Sequence, residues 1–218
     1  MKTHGTGQGR YQELVAQDLE IVMKYGNWTL GQTEALINKL GGIENALGIL
    51  QGNIRLTTER IFFPVWTMVE IGGVPKEQLV PTLESEGLFV GDWGKDMIKQ
   101  DAFTVLPEKK LLKLARCTVR DLGFTEVPTT TQLKEAISRF GGQLCPAEVG
   151  PHLRRQLKDQ ANGDCFWLVM EQIMDSDGNP SVFGLHRHVD GKQWLVAGYA
   201  TPDDRWNLGR VVVFVLAI

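Results

Sequence analysis

The chain has little cysteine, no long apolar run and no excess of positive charge, and each shortage excludes a class of protein. Cys117, Cys145 and Cys165 are the only three cysteines in 218 residues. An odd count without C-x-x-C spacing excludes a disulfide framework and a cysteine-rich zinc site, and it suits a reducing compartment. No run reaches the ~18 apolar residues of a membrane span, and the segment Met1 to Arg10 lacks the apolar core of a signal peptide. No membrane partner is therefore expected, and the expected location is cytoplasmic. The 23 basic and 26 acidic residues give a net charge of -3, which provides no general attraction for a phosphate backbone. Gly5-Thr6-Gly7-Gln8-Gly9 follows no strand and lacks the Lys-Ser/Thr pair of a P-loop, so nucleotide hydrolysis is set aside. Internal repeats, low-complexity tracts and Pro- or Ser-rich linkers are missing as well, and no cofactor is implied.

What is present is enough apolar material for a core, 43% of residues, and a change of period along the chain. Residues 1–10 read as a flexible N-terminus. Residues 11–103 read as a mainly helical region, beginning with an amphipathic helix from Tyr11 to about Lys24. Thr29 and Gln32 have the spacing of a capping box for a second helix, and Gly41-Gly42 separates it from a third over Ile43 to Leu50. The stretches Asn53–Thr57 and Ile61–Ile71 are rich in β-branched and aromatic residues and read as extended. Pro75 opens a helix that Pro81 is expected to kink or shorten, and a small helix follows from Asp92 to Gln100. A boundary is expected at about residues 100–108.

Residues 109–218 read as an α+β region. Lys109–Val119 is a strand and Gln132–Phe140 a helix capped by Thr129-Thr130-Thr131. Strands at Cys165–Met170, Val182–His188, Trp194–Tyr199 and Val211–Ile218 then build an antiparallel sheet of about four strands, with Asp190-Gly191 as the hairpin turn between the second and third. The last strand is apolar on both faces and is therefore expected in the interior of the sheet. The fold class is α+β, helical first and sheet last.

Between the helical and the strand-rich halves lies Leu144-Cys145-Pro146-Ala147-Glu148-Val149-Gly150-Pro151-His152-Leu153-Arg154. It reads as a hinge carrying a short helix, with Pro146 at the first helical position and Glu148 in the first turn, where negative charge is favoured. With Asp121-Leu122-Gly123-Phe124 before it and Asp175-Ser176-Asp177-Gly178 after it, this run resembles a family of bacterial proteins carrying an LCPAEVGPxLR motif, over residues 110 to 218. Asn27 to Gly52 resembles a second segment of such proteins. The resemblance implies a soluble bacterial protein, and neither an activity nor a catalytic residue comes with it. Cys145, Pro146, Glu148, Gly150, Pro151, Leu153 and Arg154 are accordingly structural motif residues.

Four groups of residues could carry chemistry. Asp175-x-Asp177-x-Asn179 has the alternate oxygens of a calcium loop, but Pro180 and His186 stand where Gly and Glu are needed, so it reads as a turn. Cys145 could act as a nucleophile with a base such as His186 or His188, although its place before a proline suits a small buried side chain. His186 and His188 lie on one face of a strand and lack an identifiable third metal ligand, so no metal is assigned. Trp194, Tyr199, Arg205 and Trp206 bring aromatic and arginine side chains to the sheet-loop end, the composition of an interface centre. There Trp206 either faces a partner or plugs the end of the sheet, with Arg205 paired to a neighbouring carboxylate.

The leading expectation is a non-enzymatic module that binds a protein partner through this end, with no catalytic residue. The alternative is a cytoplasmic hydrolase using Cys145 or the His186/His188 pair. The third is a nucleic-acid-binding protein acting through the N-terminal helical hairpin, which is disfavoured because Ile43, Glu44 and Asn45 offer no basic group to base edges or phosphates.

Overall fold

A computed structural model describes residues 29–51 and 63–217. The chain divides into two compact units, Met1–Arg60 and Ile61–Ile218. In the first unit, helix α1 (Leu30–Lys39) starts at the expected capping box. Gln32 N donates to Thr29 Oγ1 and Thr29 N to Gln32 Oε1, which satisfies two of the amides that a helix start leaves free. Gly41 and Gly42, both at positive φ, turn the chain into α2 (Ile43–Leu50). The expected flexible residues 1–10, the helix over Tyr11–Lys24 and the extended stretch Asn53–Thr57 lie outside the described residues.

The second unit is built on one mixed sheet, not on four antiparallel strands. Its nine strands are β1 (Thr67–Ile71), β2 (Phe89–Val90), β3 (Lys110–Thr118), β4 (Gly142–Gln143), β5 (Cys165–Leu168), β6 (Ile173–Met174), β7 (Pro180–Arg187), β8 (Gln193–Tyr199) and β9 (Val211–Leu216). They run in the order β1-β3-β9-β5-β7-β8-β2, with β4 on β9 and β6 on β7. Two pairings are parallel, β5 with β9 and β2 with β8. The count grew because β1 and β2, from the region read as mainly helical, join the same sheet as the C-terminal strands, as do β3 and the two-residue strands β4 and β6. For the same reason the compact units separate at Arg60/Ile61 and not at residues 100–108.

Local signals explain most elements. Asp190-Gly191 makes the hairpin between β7 and β8, where Gly191 N donates to His188 O and Lys192 N to Asp190 Oδ1. Asp175 Oδ1 accepts from Asp177 N and Asn179 N and shapes the turn between β6 and β7. Helix α3 (Lys76–Ser85) runs through Pro81 without being shortened. The carbonyl that Pro81 deprives of a donor belongs to exposed Glu77, so water can serve it. Helix α4 (Asp92–Lys99) follows, and α5 (Thr130–Arg139) starts on a second capping box, Thr129 with Gln132. β9 lies between β3 and β5, and Val212, Val213, Phe214 and Val215 are buried, which accounts for its unbroken apolar run.

The motif forms α6 (Val149–Gln156), and it acts as the centrepiece of one sheet face more than as a hinge. A Cβ on Gly150 would stand 2.9 Å from the Phe183 ring, so glycine lets this helix lie directly on β7. Cys145, Glu148, Val149, His152, Leu153 and Arg154 are all buried. The helix begins after Glu148, so Pro151 and not Pro146 occupies its first turn, and Glu148 has another task than complementing the helix dipole. Its carboxylate accepts from Gly72 N and Leu106 N, each at 3.1 Å, and ties two loops to the helix start. At the other end Gln156 donates to Glu70 O and accepts from Glu70 N, taking the place of a neighbouring strand on edge strand β1.

The same helix makes stability depend on pH. His152 is 6% exposed, its Nε2 has no hydrogen-bond partner among the described residues, and that atom stands 3.7 Å from Glu148 Oε2. Burial, assisted by Arg155 and opposed by Glu70, holds the imidazole below its ordinary 6.5. As pH falls below that value the unfolded chain gains a proton that the folded chain does not, so stability is lost toward acid. Burial raises the Glu148 carboxyl, against the two amides that lower it. Its contribution therefore has the opposite sense and declines as pH rises above 4.5. The melting temperature should fall between about pH 7 and about pH 5.5, and His152→Gln should flatten the fall. Equal slopes for the two proteins would remove His152 from this account.

Candidate functional site

The two faces of the sheet differ in cover. Across β5, β7 and β8 the register aligns Phe166, Leu185 and Leu195, all fully buried on the face that carries α6. Because side chains alternate, the next rows emerge on the opposite face: Cys165, His186 and Trp194, then Trp167, Gly184 and Val196, with Val182 and Gly198 beside them. Cys165, Trp167, His186, Trp194 and Val196 are only half-buried there.

Trp167 organises this open face. A Cβ on Gly184 would come within 2.8 Å of its indole, and one on Gly198 would overlap the ring outright. The indole therefore lies flat across two strands on a floor from which side chains are missing. Its other side carries Arg210, whose guanidinium carbon is 5.5 Å from the Trp167 ring and 6.0 Å from the Trp206 ring. Together with Val182, Tyr199, Asp204 and Arg205 these residues wall a cavity of about 230 Å³. Gly198→Ala should displace the indole, lower stability by ~1–3 kcal/mol and shift tryptophan emission to the red. An unshifted spectrum with unchanged stability would show that the floor tolerates a methyl group.

The loop from Ala200 to Arg210 is held firmly enough to keep this wall in place. Asp204 Oδ2 accepts from Thr201 N at 2.6 Å, and Asp204 O accepts from Thr130 N at the start of α5. Trp206 is 7% exposed and donates its Nε1–H to Thr130 Oγ1 at 2.9 Å, so it closes the sheet end while one part of its ring still lines the cavity. Arg205 donates to Val127 O and forms no ion pair among the described residues, contrary to the carboxylate pairing that its neighbours suggested.

The structure thus joins Tyr199, Arg205 and Trp206 and separates Trp194 from them. Trp194 stacks on Phe89 at 4.8 Å and on His188 at 5.6 Å, and lines a second cavity with Glu84, Asp92 and Lys95. Four residues of the first cavity were missed, Trp167, Val182, Asp204 and Arg210. Trp167 sits in an apolar run that reads as a buried strand, and only the pairing of three strands shows that Gly184 and Gly198 lie beneath it. Arg210 precedes β9 and carries no local signal at all.

The remaining candidates fall elsewhere. Cys145 is 3% exposed, its thiol donates to Val213 O at 3.6 Å, and burial pushes its pKa far up. That environment suits a core residue and leaves the thiolate without support. His186 and His188 have ring centroids 5.9 Å apart, and burial, then His188, hold His186 below 6.5. Cys165 stands opposite His186, but burial raises its thiol to about 11. Among the described residues no group of three His, Cys, Asp or Glu side chains gathers closely enough to hold a metal ion, and no helix is long and apolar enough to cross a membrane.

The fold and the site define an α+β protein whose mixed sheet carries α6 on one face and presents an aromatic and arginine cavity on the other. No family model, no curated protein and no solved structure matches the chain.

Proposed function

We propose that the Ile61–Ile218 unit is a protein-interaction module that docks a partner at the end of its sheet. The observation that carries this reading is the cavity walled by Trp167, Tyr199, Trp206, Arg205 and Arg210. Aromatic and arginine side chains dominate the energetic centres of protein interfaces, because they offer large contact area and directed hydrogen bonds together. The volume also favours it. About 230 Å³ is below the ~300–1,000 Å³ of small-molecule pockets and suits a single anchoring side chain inserted by a larger partner. Tyr199 is 61% exposed at the rim, where a partner would cover it.

The test is site-specific photo-crosslinking in cells that produce the full chain. p-Benzoylphenylalanine in place of Tyr199 should give a discrete adduct of higher mass, and the same residue in place of exposed Glu135 on α5 should not. Absence of a Tyr199-specific adduct would overturn the proposal.

A further inference from the structure

We infer that the cavity selects a partner segment carrying a carboxylate beside an apolar side chain, with Arg210 as the group that binds the carboxylate. The inference rests on the interaction reading above and names the chemistry of the partner. Arg210 is exposed, and its guanidinium is positioned only by the two indoles. Its side chain makes no hydrogen bond and no ion pair among the described residues, so its donors remain to be used. An arginine lying over aromatic rings has part of its side-chain freedom already restricted, and its planar edge matches a carboxylate in two parallel hydrogen bonds. Asp204 lines the same cavity, but its carboxylate forms no ion pair with Arg210 among the described residues, and its Oδ2 accepts from Thr201 N. Arg205 adds a second positive charge to the same wall, while Val182 and the indoles supply an apolar side for the neighbouring residue.

A nucleic acid would also bring anions, but it binds open sheet faces chiefly by stacking bases on exposed rings. Here one side of the Trp167 indole lies against Gly184 and Gly198 and the other faces Arg210, so the ring offers no free side to a base. The net charge of -3 also opposes a polyanion more than a single carboxylate.

The experiment pans a phage-displayed library of random dodecapeptides on the immobilised full chain and measures the affinity of enriched peptides by fluorescence anisotropy. Enriched sequences should share an Asp or Glu next to an apolar residue. Exchanging that acid for its amide should weaken binding at least about tenfold, and Arg210→Gln should do the same, since each removes a charged hydrogen-bonded pair. The two changes combined should cost no more than either alone, because they delete one interaction. Arg210→Lys should recover part of the affinity by restoring charge without the fork. Unchanged melting temperatures would show that the variants are folded. Peptides that bind equally well without the acid, or equally well to Arg210→Gln, overturn the carboxylate anchor and leave the interaction module standing. An empty selection overturns recognition of a linear acidic segment whether or not Tyr199 cross-links, and a missing Tyr199 adduct separately overturns the module itself. Tight binding of a fluorescein-labelled oligothymidylate that Arg210→Gln abolishes would also overturn the inference, in favour of a nucleic-acid ligand.

Discussion

A chain ending at Val213 will fail to fold, and Phe214→Ala in the full chain will lose ~3–5 kcal/mol. β9 is hydrogen-bonded to β3 on one side and to β5 and β4 on the other, and loss of residues 214–218 strips the partners of Leu114, Ala115, Gly142 and Gln143, which exposes backbone donors and acceptors inside the sheet. Phe214 is fully buried and meets Phe63 edge to face at 5.3 Å. It also fills the space above Gly142, where a Cβ would stand 2.7 Å from its ring. Small domains are stable by only ~5–15 kcal/mol, so the point substitution alone consumes a large fraction of the margin. Soluble yield and the cooperativity of thermal unfolding by circular dichroism check both parts. A soluble truncated chain that melts cooperatively would show that the second half of β9 is dispensable.

Arg154→Ala will be nearly as damaging, by ~2–4 kcal/mol, while Arg154→Met will cost less than half as much. Arg154 is 0% exposed and has no carboxylate partner among the described residues; its Nη1 donates to Gln160 Oε1 at 2.5 Å and its Nη2 to Leu157 O at 2.6 Å. Gln160 in turn donates to Asp164 O and Leu185 O, so the arginine pins the segment between α6 and β5 onto β7. Burial lowers the guanidinium to about 10, and nearby Arg187 adds to that shift, so keeping the charge inside costs free energy. Methionine refills the volume and removes this cost, losing only the hydrogen bonds; alanine loses the hydrogen bonds and opens a cavity. Chemical denaturation of the three proteins gives the order. If alanine and methionine destabilise equally, packing contributes little at this position and the hydrogen bonds carry the effect.

These two residues also show how differently the parts of this protein can be read. The burial of β9 follows from its own eight residues, because no alternation of polar and apolar positions leaves a face for water. The same kind of local reasoning finds the capping boxes at Thr29 and Thr129 and the hairpin at Asp190-Gly191, where a hydrogen bond between residues three or four apart is the whole cause. The buried arginine has no such signal. Arg154 and Arg155 are identical neighbours at the end of a short helix, yet Arg155 reaches outward to Glu86 while Arg154 turns into the core.

The candidate site divides along the same line. Tyr199, Arg205 and Trp206 were legible because an aromatic and arginine cluster near a strand end is unusual by composition alone. Trp167 and Arg210 were not, because their roles depend on β5 pairing with β7 and on β7 pairing with β8, contacts between segments far apart in sequence.

Among the described residues the sequence by itself determined most of the helices and the longer strands, and that the last strand is interior, since these depend on periodicity and on hydrogen bonds between near neighbours. Only the tertiary structure decided that β1 and β2 enter the sheet, that Glu148 ties down two loops in place of capping a helix, and that an indole lies on two glycines under a stacked arginine. Those outcomes depend on strand order and register, which are set by long-range packing of the whole unit and leave no periodic trace in any one stretch of residues.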